Sequence, residues 1–378
     1  MKGDRAHARP FFSKRGCMHI YFRNCGEIVA VVDYDGRKAF EIPEIPNRKG
    51  FRFNGWWVTT DEGVVEFSPE WLSSRPVGED ILVNARWINT SYKLEVQDFN
   101  TDGYIQDGAI YADFFFKFHS DGSAVVHSMK THEELGRFVL DKADIFKPHC
   151  NATCFTNHFY EAEDEFPLLY ANIYNSYGKE EDRRLGSFGV YRLSRTEEGF
   201  CSQLVQIIKI GFADQNDLWH SPDGKDRSPY GNFVLDTDRQ HLWAFVTRDF
   251  NHTTRFFCFE MPDVDAGVLS DYYGVRILTL DRESILEFFD VPYSWYLQGA
   301  CYHEGKIYST EGLGTADNPS VIRVVSLKDR AEDYVADLQN DGCPKEAEFI
   351  DIWNGSFWYG TYMKNDSPKA PVFRVPGL

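Results

Sequence analysis

A short motif that recurs along the chain constrains the fold more than any other feature. The segment LQGACYHEGKIYSTEG (297–312) reads as two short strands joined by a tight turn at Gly305. A similar segment, AEFIDIWNGSFWYGT (347–361), places Gly355 where the first has Gly305. Looser copies begin near residues 51, 106, 151 and 231. Repeats of this kind bury their faces only by stacking on one another, so the pattern indicates a repetitive fold.

Composition and spacing indicate which repetitive fold this is. Aromatic residues make up 16% of the chain, and such side chains favour strands over helices. The shorter intervals between copies match the roughly 40–50 residues of a propeller blade. We therefore predict an all-β fold over residues 17–378, a single β-propeller of about six four-stranded blades. Five or seven blades also fit the spacing, and a β-sandwich is the alternative fold.

The two ends of the chain are predicted to have different roles. The last copy leaves room for only three strands, so an N-terminal strand is expected to close the ring and remove the free edges. The candidate donors are the runs CMHIYF, EIVAVVDY and KAFEIPEI. Residues 1–16 are predicted to form a flexible arm before the propeller.

The blade motif resembles a known group of propellers. The phrase GACYHEGKIYSTEG is similar to the inner-strand hairpin of the six-bladed NHL, TolB-like and gluconolactonase-like propellers. The resemblance covers residues 100–378 at the level of the motif. It implies a fold and carries no catalytic residues.

The charge and hydropathy of the chain indicate which partners and which location to expect. The formal net charge of −18 disfavours nucleic acid and anionic membranes as partners. No stretch approaches the roughly 20 apolar residues that a membrane span needs. No secretory signal is visible, so we expect a cytoplasmic protein, although a secreted mature chain also fits. The oligomeric state is left open.

Candidate site residues stand where the predicted innermost strands begin. In a propeller these positions meet at the mouth of the central channel, and convergent polar groups in a concave site favour ligand binding. The predicted catalytic residues are Asp107, His158 and Glu348. The predicted ligand-binding residues are Gln106, His149, Asn151, Asn232, Gln298, Glu311, Trp219 and Trp295.

A divalent cation is one candidate cofactor. Asp107, Asn151, Asn232 and Glu348 offer the oxygen ligands that Ca²⁺ prefers. The resemblance to gluconolactonase-like enzymes also implies a divalent ion at the channel mouth, held by Glu and Asn. The alternative is a channel whose polar ends are hydrated.

Two functions remain open at this stage. The first is binding of a small polar, carbohydrate-like molecule at the channel mouth, with hydrolase or lyase activity. The second is non-catalytic recognition or scaffolding of a protein or glycan partner. The chain has no G-x-S-x-G, H-E-x-x-H or P-loop motif, so no nucleophile or phosphate site is predicted.

Overall fold

β-strands make up most of the structure. It is a computed structural model, and it describes residues 17–36, 40–44, 47–60, 63–99, 105–172, 186–211, 232–247, 253–292, 296–338, 346–362 and 371–378. The helical elements within these ranges are short: α1 (Pro69–Ser73), α2 (Ala143–Phe146) and a 3₁₀ turn (Arg282–Ser284).

Six strands precede the first complete sheet. They are β1 (Met18–Asn24), β2 (Glu27–Tyr34), β3 (Phe51–Thr60), β4 (Gly63–Glu66), β5 (Ile81–Asn89) and β6 (Glu95–Gln97). The first sheet contains β7 (Asp107–Tyr111), β8 (Phe114–Phe118), β9 (Ser123–Ser128) and β10 (Glu134–Val139). The second sheet is built on β11 (Thr153–Phe155), β12 (Leu169–Asn172), β13 (Ser187–Thr196) and β14 (Gly199–Ile210).

Three further sheets follow along the chain. The third sheet begins with β15 (Asn232–Asp236), β16 (His241–Thr247) and β17 (Thr253–Glu260). The chain then forms β18 (Val268–Leu269) and β19 (Arg276–Leu280), and returns to the third sheet as β20 (Glu287–Pro292). The fourth sheet is built on β21 (Leu297–His303), β22 (Lys306–Glu311), β23 (Val321–Ser326) and β24 (Ala331–Asp337). The fifth contains β25 (Glu346–Trp353), β26 (Ser356–Tyr362) and β27 (Val372–Val375).

The sheets form a ring, which confirms the predicted propeller architecture. The first strands of successive sheets, β7, β11, β15, β21 and β25, contact one another in order, and β25 contacts β7. Separate apolar clusters fill the space between neighbouring sheets, as between the first and second sheets around Phe116 and Tyr191. Each sheet therefore buries both faces against its neighbours, as the repeat requires.

The predicted six blades are not supported, because the described part of the chain forms five sheets. The copy beginning at residue 51 is one continuous strand, β3, and not a hairpin. Phe53 pairs with Trp87 of β5 and Trp56 pairs with Ala85, so Asn54-Gly55 forms a β-bulge. In the sequence, Asn54-Gly55 precedes Trp56-Trp57 much as Asn354-Gly355 precedes Phe357-Trp358. A glycine with positive φ serves both bulges and tight turns, so Gly55 (φ +93°) and Gly355 (φ +67°) look equivalent although only Gly355 lies in a turn.

The two best copies are hairpins, as predicted. His303 pairs with Lys306 and Trp353 with Ser356, which leaves two-residue turns at Glu304-Gly305 and Asn354-Gly355. Both turn residues have positive φ in each case, as the preferred hairpin turn demands.

The prediction that an N-terminal strand closes the ring is correct, but the segments predicted to supply that strand are wrong. The fourth strand of the fifth sheet is β6, which pairs antiparallel with β27. The runs CMHIYF and EIVAVVDY instead form β1 and β2, and KAFEIPEI forms no strand over its described residues, 40–44. β5 pairs in parallel with β24, so β1 to β5 enlarge the fourth sheet to nine strands.

A second extension joins the second and third sheets. β19 pairs in parallel with β14, although β17 and β20, which flank β18 and β19 in the sequence, belong to the third sheet. Within the ranges given above, no helix is long and apolar enough to cross a membrane.

The closing contact between β6 and β27 can be tested with proline. The Lys93 backbone N–H donates to the Pro376 carbonyl (3.0 Å), and antiparallel hydrogen bonds recur at every second residue. The N–H of Gln97 therefore points toward β27, while that of Val96 points away.

We expect Gln97→Pro to lower the free energy of unfolding by on the order of 1–3 kcal/mol more than Val96→Pro, because only Gln97→Pro leaves a carbonyl without its donor. Urea unfolding of the two variants measures the difference. Equal losses would show that β6 does not close the ring in this register.

Candidate functional site

Polar side chains meet where the five first strands begin, as the sequence predicted. Asp107 opens β7, Asn232 opens β15, and Asn151 lies two residues before β11. Gln298 and Glu348 lie near the starts of β21 and β25. All five are buried, and this cluster is called the ring mouth below.

Backbone bulges place two of these side chains. The β21–β22 register shifts between Leu297 and Ala300, and Gln298 lies in this irregularity. The β25–β26 register shifts between Ala347 and Phe349, where Glu348 is the extra residue. Bulges redirect side chains and are common beside functional sites, so the two equivalent shifts are consistent with a binding role.

A chain of hydrogen bonds crosses from the first sheet to the fifth and on to the fourth. Gln106 Nε2 donates to Glu348 Oε2 (3.2 Å), which joins the starts of the first and fifth sheets. Gln298 Nε2 donates to Glu346 Oε1 (2.7 Å), which joins the fourth and fifth sheets.

The same chain continues through the third and second sheets back to the first. Asn232 Nδ2 donates to the Gln298 carbonyl (3.0 Å), and Asn151 Nδ2 donates to Asn232 Oδ1 (3.4 Å). Thr153 Oγ1 donates to Asp107 Oδ2 (2.9 Å), as does the Thr153 backbone N–H. All five sheets are thus joined by a closed circuit of polar contacts, which satisfies groups that burial would otherwise leave unpaired.

Asp107 is the most constrained carboxyl group of the ring mouth, with only 1% of its surface exposed. Burial raises the pKa of Asp107 well above its usual value, and hydrogen bonds from Gly108 and Thr153 only partly oppose this. Its Oδ1 receives no well-formed hydrogen bond from the described residues. A Cβ on Gly299 would stand 2.4 Å from this oxygen, so the absence of a side chain at Gly299 makes room for the carboxyl.

Two further carboxyl groups close to the channel, those of Glu348 and Asp351, also have raised pKa values. Burial raises the pKa of Glu348 well above its usual value, and the carboxyls of Glu346 and Asp107 raise it further. Burial also raises the pKa of Asp351 to about 7, although the backbone N–H groups of Ile110 and Ile352 favour its ionised form. Such carboxyls hold a proton where an ordinary Asp or Glu has lost it.

The other predicted polar residues lie in different surroundings. His149 is half-buried beside the second sheet, where its backbone N–H donates to the Asn172 carbonyl (3.0 Å), and burial lowers the pKa of its imidazole to about 4. Glu311 accepts hydrogen bonds from Arg323 Nε to both oxygens (3.0 Å each). Arg323 also binds Glu332, so Glu311 belongs to a buried ion-pair network.

His158 is not brought together with Asp107 and Glu348. It follows the far end of β11, whereas Thr153, at the near end of that strand, binds Asp107. Its side chain is exposed. The two predicted aromatic contacts, Trp219 and Trp295, lie outside the described residues.

Several ring residues were missed by sequence reasoning. Thr153, Asn172 and Asp351 are common polar residues in strand-like runs, and Gly299 has no distinguishing neighbour. Glu346 was not missed, because the sequence offered Glu346 or Glu348 as the polar residue that leads its strand, and the structure places both in the circuit. The remaining contacts depend on which strands meet across the ring.

Three of the four predicted calcium ligands have hydrogen-bond partners within the protein at the oxygens that would bind an ion. Asn172 Nδ2 donates to Asn151 Oδ1 (2.6 Å) and lies 3.4 Å from Asn232 Oδ1, so both amide oxygens are engaged. Oδ2 of Asp107 accepts two hydrogen bonds from Thr153. Across the described ranges, no group of three or more His, Cys, Asp and Glu side chains is placed to hold a metal ion.

Comparison with known proteins finds similar solved structures but no related family. No protein family and no curated protein matches the sequence. The chain is similar to the solved structure of Myxococcus xanthus glutaminyl cyclase, with a TM-score of 0.43 and 10% identity over 75% of this chain and 95% of that one. A putative oxidoreductase (glucose dehydrogenase) of Thermus thermophilus gives a TM-score of 0.38 and 11% identity, over 75% of this chain and 100% of that one.

The computationally designed protein Ika8 gives a TM-score of 0.32 and 10% identity, again over 75% of this chain and 100% of that one. Similarities this weak carry no argument about function.

The close fit at Gly299 predicts a large effect of one methyl group. We expect Gly299→Ala to destabilise the protein by on the order of 1–3 kcal/mol or more, because the new Cβ would stand 2.4 Å from Asp107 Oδ1 and 2.6 Å from the Glu348 carbonyl oxygen. Gly78→Ala is the matched control, since its Cβ would meet no atom closer than 3.8 Å. Thermal unfolding of both variants measures this, and similar melting temperatures would contradict the close packing.

The raised pKa of Asp351 predicts a direction for the pH dependence of stability. The unfolded chain loses this proton near pH 4 and the folded protein near pH 7, so the contribution of Asp351 is complete below about pH 4. It falls by up to about 1.4 kcal/mol per pH unit as the pH rises between these values. Asp351→Asn removes this titration, so its free energy of unfolding should fall less than that of the native protein from pH 4 to 7.

Asp121→Asn provides a control of opposite sign. Hydrogen bonds from Ser123 lower the pKa of Asp121 despite partial burial, so its contribution is present above about pH 4 and lost in more acidic solution. Urea titrations at several pH values compare the three proteins. Parallel profiles for the native protein and Asp351→Asn would show that Asp351 ionises normally.

Proposed function

We propose that the ring mouth binds a small polar, carbohydrate-like ligand, and that Asp107 and Glu348 act on it as proton donor and acceptor in hydrolysis or elimination. The observation that carries this proposal is the pair of buried carboxyls on neighbouring strands, each with a raised pKa. A general acid needs a proton at the working pH, and burial beside another carboxyl is how proteins keep one on Asp or Glu.

The amide side chains of the ring mouth and of the adjacent Gln106 support the choice of ligand class. Gln106, Asn151, Asn232 and Gln298 supply both donors and acceptors, which match the hydroxyl groups of a sugar. Their present partners are mostly other ring residues, so a ligand hydroxyl would take the place of one of these hydrogen bonds. Trp219 and Trp295 keep their predicted role of packing against the apolar face of a sugar ring.

The alternative is a propeller that recognises a protein or glycan without acting on it. The closed circuit of hydrogen bonds favours this alternative, because each amide of the ring already has a partner. Ca²⁺ at the ring mouth stays a prediction, and the experiment below includes it.

The first experiment measures binding to the native full-length protein. Thermal shift is recorded with neutral and acidic mono- and disaccharides, and with Ca²⁺ in the presence and absence of a chelator. We expect at least one sugar to raise the melting temperature of the native protein and of Glu304→Gln. Glu304 is the matched control because it lies in the exposed turn at the other end of β21.

The second experiment separates catalysis from recognition. With the sugar that binds, we expect Asp107→Asn and Glu348→Gln to retain a thermal shift and to lose roughly 100-fold or more in turnover. New reducing ends alone indicate hydrolysis, and an unsaturated product indicates elimination. Binding without turnover by the native protein would favour the recognition alternative. If no sugar and no cation shifts the melting temperature, the ring-mouth proposal is wrong.

A further inference from the structure

A second cavity lies away from the ring mouth, between the N-terminal strands and the rim of the propeller. Its volume is about 620 Å³, within the range of small-molecule sites. Strands β3 and β5 and the segment after α1 form one side, and residues 290–292 and 330–332 form the other. None of the ring-mouth residues lines it.

Two of the acidic groups that line this cavity, Glu332 and Asp290, are neutralised by arginines. Glu332 accepts hydrogen bonds from Arg86 (2.6 and 3.1 Å) and also binds Arg323. Asp290 forms a two-pronged pair with Arg255 (2.6 and 2.8 Å). Asp80 lies 3.1 Å from His19 Nδ1, and the remaining acid, Glu79, is exposed to solvent at the rim.

Two guanidinium groups in the cavity wall are not neutralised in this way. Arg75 lies over the ring of Trp71, with its Cζ 4.4 Å from the ring centroid. Arg23 donates to two neutral acceptors, Asn84 Oδ1 (2.7 Å) and the Asp329 carbonyl (3.0 Å). Among the residues that the structure describes, no carboxylate forms an ion pair with either one, although the charge of the Asp329 carboxylate partly opposes the lowering of the Arg23 pKa by burial. Both are half-buried, in a chain whose net charge is −18.

Flat and apolar surfaces complete the cavity. Trp57 and Trp71 both line it, together with Ile81 and Leu82 of β5. The Trp57 indole is held in place, since its Nε1 donates to the Asn54 carbonyl (2.7 Å) and the Arg86 guanidinium lies 4.6 Å over its ring. Rigid aromatic walls with a few convergent polar groups are typical of ligand sites.

We propose that this cavity binds a small organic anion, a carboxylate or phosphate ester that carries a flat apolar group. Arg75 and Arg23 supply the charge for the anionic end, and planar guanidinium groups suit both kinds of anion. The tryptophan rings pack against the flat part. The proposal is independent of the ring-mouth function, because the two sites share no residue.

Two fluorescent probes of similar shape test the charge requirement. 8-Anilinonaphthalene-1-sulfonate is an anion that carries a flat naphthalene ring system, and N-phenyl-1-naphthylamine is its neutral counterpart. We expect the anionic probe to bind the native full-length protein, and Arg75→Met or Arg23→Met to weaken its affinity about tenfold. The affinity of the neutral probe should change less than twofold, because the apolar walls remain.

Two further variants locate the effect and control for folding. Leu82→Trp extends a bulkier side chain into the cavity from its exposed rim, so it should weaken both probes. Arg276→Met removes an exposed arginine beside the apolar strand β18 at another surface, so it should weaken neither. Urea midpoints close to that of the native protein show that each variant is folded.

Several outcomes would overturn the proposal. The anionic probe could fail to bind the native protein, or could bind Arg75→Met and Arg23→Met as well as it binds the native protein. An equal loss of both probes in the arginine variants would show that the cavity has collapsed and that charge is not what selects the ligand. A loss confined to Arg276→Met would place the anion site at β18.

Discussion

The pairing of β6 with β27 is the contact on which the ring depends. Without β6, the fifth sheet would have three strands and an open edge, and neither the first nor the fourth sheet would face a complete neighbour. The pair joins residues from opposite ends of the sequence, so the entropy of closing a very long loop opposes it. The apolar clusters between successive sheets offset this cost, because each is complete only when the ring is closed.

Ring closure also explains the chemistry of the mouth. Five strand starts are brought to one place, and their side chains can satisfy each other only by reaching across from sheet to sheet. The same crowding excludes water from Asp107 and Glu348, which raises the pKa of both. The contacts that hold the sheets together and the raised pKa values of the two carboxyls therefore arise from the same arrangement. Substitutions that change one also change the other.

Sequence reasoning was reliable where the physical cause was local. The hairpins at Gly305 and Gly355 follow from two-residue turns, and the strand starts at Gln298 and Glu348 follow from those hairpins. The number of sheets could not be obtained in this way, because Asn54-Gly55 uses the same local chemistry within a continuous strand. β6 is three residues long, and no pattern within it shows that its partner lies at the other end of the chain. The contact of Thr153 with Asp107 likewise exists only because two sheets meet.

The crossing of β19 to the second sheet bears on how such a ring can change over evolution. Blades are gained and lost as stretches of coding sequence, which is simplest when one stretch encodes one whole sheet. Within the described ranges, only the first sheet meets this condition, since it is built from four consecutive strands and no others. The second sheet takes β18 and β19 from the stretch of chain between two strands of the third sheet, so the two sheets would have to be duplicated or deleted together. The fourth and fifth sheets both borrow strands from the N-terminal region, so neither can be exchanged without it.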